Sequence, residues 1–123
     1  MEASIGQSAP HQQSELSQVS NEMVRLYKER FGRGPTKARS GYADENTLVS
    51  TLENTLTPAE QSMAEMGEHQ RLQETRLFFQ QASREAFTGA VEKVTGRKVR
   101  AFVSGMDSEK DVATEVFYLE RQG

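Results

Sequence analysis

Residues 72–94 read LQETRLFFQQASREAFTGAVEKV, and the fold depends on how that stretch is interpreted. Leu72, Phe79, Ala82, Ala86, Phe87, Ala90, Val91 and Val94 fall along one broad helical stripe, opposed by Gln73, Glu74, Gln81, Arg84, Glu85 and Glu92. A helix with such a stripe needs a surface to bury it against. The expected surface is a sheet built by two hairpins, one on each side of this helix in the sequence.

Upstream, Thr57-Pro58-Ala59-Glu60 combines a capping hydroxyl, a proline suited to the first helical position and a glutamate placed to return a capping-box hydrogen bond. A helix is therefore expected to begin at Thr57, with Met63 and Met66 on its apolar side. Gly67 breaks or bends it before the long helix resumes near His69. Downstream, Thr95-Gly96 ends that helix. Lys98 to Ser104 reads as a strand in which Val99, Ala101 and Val103 alternate with Arg100, Phe102 and Ser104. Gly105 to Lys110 reads as a polar loop. Asp111 to Glu120, with Val112, Val116, Phe117, Tyr118 and Leu119, suits a last strand. Val112, Val116 and Leu119 also fit a helical face, while the Gly105 loop favours a hairpin.

The N-terminal half supplies the other hairpin. From Ser14 onward, Leu16, Val19, Met23, Leu26, Tyr27 and Phe31 recur at three- and four-residue steps, which predicts a first helix closed by Gly32. Arg33-Gly34-Pro35 is a turn-like link. Thr36 to Tyr42 and Thr47 to Asn54 then flank the polar cluster Asp44-Glu45-Asn46 as two strands. Leu48, Ser50 and Leu52 share the face expected to meet the core; the first strand, with Lys37, Arg39 and Gly41, reads as an edge. The expected fold is α+β, an antiparallel sheet of about four strands in two hairpins with helices packed on one face, in the order α-β-β-α-α-β-β. Residues 1–13, poor in large apolar side chains, read as a flexible tail, and 14–121 as a single domain.

With 123 residues the chain can bury roughly two-thirds of the surface its unfolded form would expose. It has no cysteine, which excludes a disulfide framework, a thiolate zinc site and a cysteine nucleophile, and fits a reducing compartment. The first residues lack the features of a secretory signal, and no stretch has the ~20 apolar residues of a membrane span. A cytoplasmic protein is expected, peripheral to a membrane only through a partner. The net charge of -3 argues against general nucleic-acid binding.

Gly32-Arg33-Gly34-Pro35-Thr36-Lys37 brings together glycines, a hydroxyl and a lysine that could hold phosphate, bicarbonate or another oxyanion. It is not a Walker loop, because its glycines follow a helix and precede a strand. Arg97, Lys98 and Arg100 would join Arg33, Lys37 and Arg39 in one basic face if the hairpins bring them together. The candidate anion-binding set is Arg33, Gly34, Thr36, Lys37, Arg39, Arg97 and Lys98. Its plainer reading is a tight connection whose solvated cations guard a sheet edge. His11 and His69 have no obvious second ligand, and Glu65 or Glu68 beside His69 falls short of a zinc site, so no metal is expected. Glu53, Glu60, Asp107, Asp111 and Glu115 read as caps and surface groups. No catalytic residue and no cofactor is assigned. Phe78-Phe79 and the methionines read as core or interface packing.

The run Val24-Arg25-Leu26-Tyr27-Lys28-Glu29, followed by Gly32-Arg33-Gly34-Pro35-Thr36-Lys37-Ala38-Arg39, resembles the opening of the MpsC-like family, named for a Na+-translocating membrane-potential-generating system. Leu56-Thr57-Pro58-Ala59-Glu60, Ala90-Val91-Glu92-Lys93-Val94-Thr95-Gly96-Arg97-Lys98-Val99 and Glu115-Val116-Phe117-Tyr118-Leu119-Glu120 resemble its later blocks, in order. The likeness spans about Ser14 to Glu120. It implies a small soluble protein associated with a membrane-bound system for ion or inorganic-carbon handling, and it brings no established catalytic residues. The expected function is a non-enzymatic accessory or regulatory module that binds a protein partner, such as a subunit of that system. A homodimer is expected, because strand edges and Met/Phe surface favour self-association. Two other readings stay open: a small-anion or nucleotide sensor using Arg33, Lys37 and Arg97, and an enzyme whose acid and base are carboxylates.

Overall fold

The structure, a computed structural model, describes residues 10–121. Helix α1 (Pro10–Phe31) leads into the hairpin β1 (Lys37–Asp44) and β2 (Thr47–Glu53). Three helices follow, α2 (Pro58–Glu65), α3 (His69–Ala82) and α4 (Arg84–Thr95), and the chain closes with β3 (Val99–Asp107) and β4 (Val112–Leu119). The strands form one antiparallel sheet in the order β1-β2-β4-β3, so the two hairpins join through β2 and β4. The expected α+β architecture is present, with β1 at an edge.

Strand parity fixes the core. Leu48 and Leu52 of β2, Phe117 and Leu119 of β4 and Phe102 of β3 point to the helix-covered face. They meet Val19, Met23 and Leu26 of α1 and Phe87 and Val91 of α4. Aromatic contacts continue through this layer: Phe87 stacks on Phe102 at 5.9 Å between ring centres, and Phe102 lies 5.1 Å from Phe117. Burying these side chains supplies the main drive to fold, about 1.5–3 kcal/mol for each fully buried large apolar group.

Local chemistry sets most boundaries. Gly32, at φ +82°, ends α1, and Gly96, at φ +71°, ends α4. Thr57 caps α2: its hydroxyl accepts from Glu60 N at 3.2 Å, while Thr57 N donates to Glu60 Oε1 at 2.9 Å. Gly67, at φ +79°, separates α2 from α3. The last strand is a strand and not a helix, because its backbone is paired on both sides, by β2 and by β3.

Four expectations need correction. Residues 10–13, read as part of a flexible tail, are helical and belong to α1; residues 1–9 lie outside the described residues. The stretch 72–94 is two helices, with the buried Ser83 between them, so the order is α-β-β-α-α-α-β-β. Within α3 the buried face runs through Leu72, Arg76 and Gln80, so Phe79, read as core, lies beside it at 44 % exposure, while Phe87 on α4 stays buried. Finally, β3 runs through Gly105 to Asp107, because Gly105 pairs with Thr114 on the outer face, where the ladder needs no packed side chain.

Candidate functional site

The parity that buries Phe117 also buries Glu115, two residues earlier on β4. Its cross-strand neighbours are Ser50 on β2 and Ser104 on β3, and Ser50 in turn pairs with Ser40 on β1. A row of polar residues therefore crosses all four strands on the core side of the sheet. Ser50 and Ser40 hydroxyls are 2.8 Å apart, and Ser40 is 2.8 Å from Ser20 on α1, so the row is tied to the helix above it.

Two further groups reach Glu115 from the helices. Tyr27 of α1 donates its hydroxyl to Glu115 Oε2. Gln80 Nε2 of α3 donates to the same oxygen at 3.3 Å and to the Tyr27 hydroxyl at 3.4 Å. Glu115 Oε1 and Ser104 Oγ have no hydrogen-bond partner in bonding geometry, although Ser104 is close enough to favour the charged carboxyl. Burial pushes the Glu115 carboxyl up to about 7, over the opposing influence of Ser104, Tyr27, Gln80 and the Arg76 charge. Burial, reinforced by Glu115, raises the Tyr27 phenol well above its ordinary value.

Arg76 is the other buried ionic group, 1 % exposed on α3. Its Nε donates to Glu60 Oε2 at 2.7 Å and its Nη2 to Glu60 Oε1 at 2.8 Å, a bidentate pair, while Nη2 also reaches Thr55 O at 2.8 Å. The guanidinium lies 4.2 Å from the Phe31 ring centre, with Nη1 unpaired. Burial opposes the Glu60 charge, but the bonds from Arg76 and from Thr57 outweigh it and hold that carboxyl below its usual range. The capping glutamate of α2 is thus also the anchor of α3. Since Glu115, Tyr27, Gln80 and Arg76 are each no more than 1 % exposed, a substrate cannot meet them in this conformation. The arrangement can bind and release a proton near neutral pH.

The anion-binding candidates divide into two places. Arg33, Gly34, Thr36, Lys37 and Arg39 lie together at the beginning of β1, whereas Arg97 and Lys98 precede β3 at the opposite end of the sheet. The length of β1 separates them, roughly 20 Å at about 3.3 Å per residue. Arg97 is committed within the chain: it donates to Glu45 O and Glu120 O, each at 2.8 Å, and to Asn46 Oδ1 at 2.5 Å. It clamps the β1–β2 turn to the end of β4. Thr36 accepts from Asn54 Nδ2 at 2.6 Å, and Arg39 bonds Glu53 at 3.2 Å on the surface. Gly34 packs against Val24, where an added Cβ would approach to 3.3 Å, so the close approach of the α1–β1 link to α1 accounts for this glycine.

The carboxylates read as caps mostly are caps. Asp111, at φ +56°, accepts from Thr55 N at 2.8 Å and Leu56 N at 3.2 Å, and Asp107 Oδ1 closes the β3–β4 turn. Glu115 is the exception, a core group and not a surface one. His69 bonds Ser108 Oγ through Nδ1 at 2.8 Å and joins α3 to the β3–β4 turn. Among the described residues no group of three or more His, Cys, Asp or Glu is placed to hold a metal ion, and no helix is long and apolar enough to cross a membrane.

Among the described residues, two surfaces present several apolar side chains to solvent. Leu77, Phe78 and Phe79 are exposed at consecutive positions of α3, Phe78 at 66 %, and the rings of Phe78 and Phe79 meet edge-on to form a ridge. The sheet face opposite the helices presents Val49, Thr51, Val103, Thr114, Val116 and Tyr118, with Val103 at 54 % exposure. No curated protein and no solved structure shows significant similarity to the chain. A family model described as Na+-translocating membrane potential-generating system (MpsC) matches residues 11–121, so the chain belongs to the MpsC family.

Proposed function

We propose that the chain is a non-enzymatic accessory module that binds a protein subunit of a membrane ion or inorganic-carbon transport system through the aromatic ridge of α3. The observation that carries this reading is the exposure of three consecutive large apolar residues, Leu77, Phe78 and Phe79, on a helix held in place by buried Arg76 and Gln80. Monomeric surfaces rarely gather such residues, and aromatic side chains anchor protein contacts well. The ridge is also backed by a ring network: Phe79 is edge-on to Phe78 at 5.5 Å and to Phe31 at 6.3 Å. It is therefore presented in one shape, which lowers the ordering cost of binding. Family membership supports the choice of partner class. Small-anion or nucleotide sensing by the basic loop is less well supported, because Arg97 and Lys98 lie away from Arg33 and Lys37 and Arg97 is internally bonded.

The test is co-sedimentation with membranes from the cells that make the protein. Wild type is expected to pellet with those membranes and Phe78→Ser to stay in the supernatant with an unchanged melting transition. Protease treatment of the membranes should abolish pelleting by wild type, since the partner is a protein. Wild type that never pellets, or Phe78→Ser that pellets equally well, contradicts the proposal.

A further inference from the structure

The sheet face without helices has a residue arrangement that is complementary to itself. Three rows run across it in register: Lys37, Glu53, Val112 and Asp107; then Arg39, Thr51, Thr114 and Gly105; then Gly41, Val49, Val116 and Val103. Each row has its β1 member at one edge and its β3 member at the other. A two-fold axis parallel to the strands, passing between β2 and β4, exchanges β1 with β3 and β2 with β4 while keeping each residue in its row. It therefore sets Val49 against Val116, Thr51 against Thr114, and the two edge residues of every row against each other.

Those edge pairs match in shape and in charge. Val103 is 54 % exposed and projects from β3, while opposite it Gly41 on β1 has open space where a Cβ would be. Lys37 and Asp107, the opposite ends of the first row, carry opposite charges, and the symmetry makes that contact twice. In the second and third rows the central strands carry valine and threonine, suited to packing one pleated surface on another, while in the first row Glu53, paired with Arg39 of its own sheet, stands over Val112. Sheets stacked face to face stay aligned within about 30°, which keeps these central strands over one another. With strands about 4.8 Å apart and a rise of about 3.3 Å per residue, the face is on the order of 500 Å² per copy. A pair reaches the ~1,000 Å² that a specific interface needs.

We propose that a second copy of this chain occupies the helix-free sheet face, stacked about a two-fold axis parallel to the strands, with Val103 of each copy over Gly41 of the other and Lys37 meeting Asp107. The dimer has its helices on both outer sides, so two α3 ridges face outward; it does not depend on what those ridges bind.

Sedimentation velocity of the full chain at micromolar concentration is expected to give twice the chain mass, and Val103→Glu to give the monomer with its melting transition retained. The chain has no cysteine, so Gly41→Cys and Val103→Cys variants report the pairing directly. Mixed and treated with a short bis-maleimide, they should yield a covalent dimer that neither yields alone, a result that stays decisive even where Val103→Glu fails to fold. A monomeric wild type overturns the proposal. So does a dimer that survives Val103→Glu, which would put the contact on a strand edge or on the α3 ridge. Cross-linking of either single variant as efficient as that of the mixture overturns the two-fold arrangement.

Discussion

In the folded chain Glu115 keeps its proton up to about pH 7, whereas an ordinary glutamate loses it near 4.5. Between these values the folded state binds one proton more than the unfolded state, so stability falls as pH rises. The contribution is full below 4.5 and lost once pH has passed about 7. A shift of this size corresponds to roughly 3 kcal/mol. Glu60 acts in a different window and with the opposite sign: its carboxyl is held below the usual range, so its contribution is present above 4.5 and disappears as pH falls through the folded value. Urea unfolding should therefore show wild type losing stability from pH 5 to pH 8. Glu115→Gln keeps a polar group beside Tyr27 and cannot ionise; it should be level across that interval and more stable than wild type at pH 8. An unchanged slope in Glu115→Gln would assign the pH dependence to another group.

At the scale of elements, α2 offers a separation of two roles that meet in one glutamate. Thr57→Ala removes the hydroxyl that caps Glu60 N and should cost about 1 kcal/mol, the usual value of an N-cap. Glu60→Ala removes the same box and also leaves Arg76 buried without its counter-ion, which should cost roughly 3–5 kcal/mol. Urea midpoints of the two variants check the difference, and equal losses would mean that the Arg76 pair adds nothing. These elements also show what the sequence made legible. Gly32, Gly96 and the Thr57–Glu60 box carry their boundaries in local chemistry, and each is where a local reading puts it. The break at Ser83 has no glycine or proline to announce it, and it follows from tertiary packing, so the stripe from Leu72 to Val94 looked continuous. The polar core was within reach. Glu115 lies in step with Ala113, Phe117 and Leu119, Ser50 in step with Leu48 and Leu52, and Arg76 and Gln80 follow Leu72 at four-residue intervals. Periodicity places all of them inside, and Ser50 is read there, but the charge or amide of Glu115, Arg76 and Gln80 argues for the surface, and only the partners brought by distant elements resolve that conflict. The distance between Lys37 and Arg97 was not legible at all, because strand order decides it.

The whole molecule divides into a well-packed tier and a weakly packed one. The hydrophobic core draws on α1, α4 and the sheet and on neither α2 nor α3. α2 buries no side chain, and α3 buries Leu72 together with the polar Arg76 and Gln80. Its attachment rests largely on hydrogen bonds and one ion pair, and bonds of that kind exchange with water at a net gain of only about 1 kcal/mol each. α2 and α3 should therefore open as a unit at lower free energy than the rest. Opening lifts Gln80 from Glu115 and lets water reach the carboxyl, which then ionises as an ordinary glutamate does. Because the opened form releases a proton more readily, opening becomes easier as pH rises from 4.5 toward 7, the window set by Glu115 itself. Native-state hydrogen exchange, corrected for the intrinsic effect of pH, should show peptides from 58–82 exchanging well before those from α1, α4 and β4, and losing protection between pH 5 and pH 8. In Glu115→Gln the early exchange should remain and its pH dependence vanish. Protection of α3 equal to that of β4 at both pH values would show that the chain opens only globally, and that the polar contacts around Arg76 and Glu115 bind α3 as firmly as the apolar core binds α1.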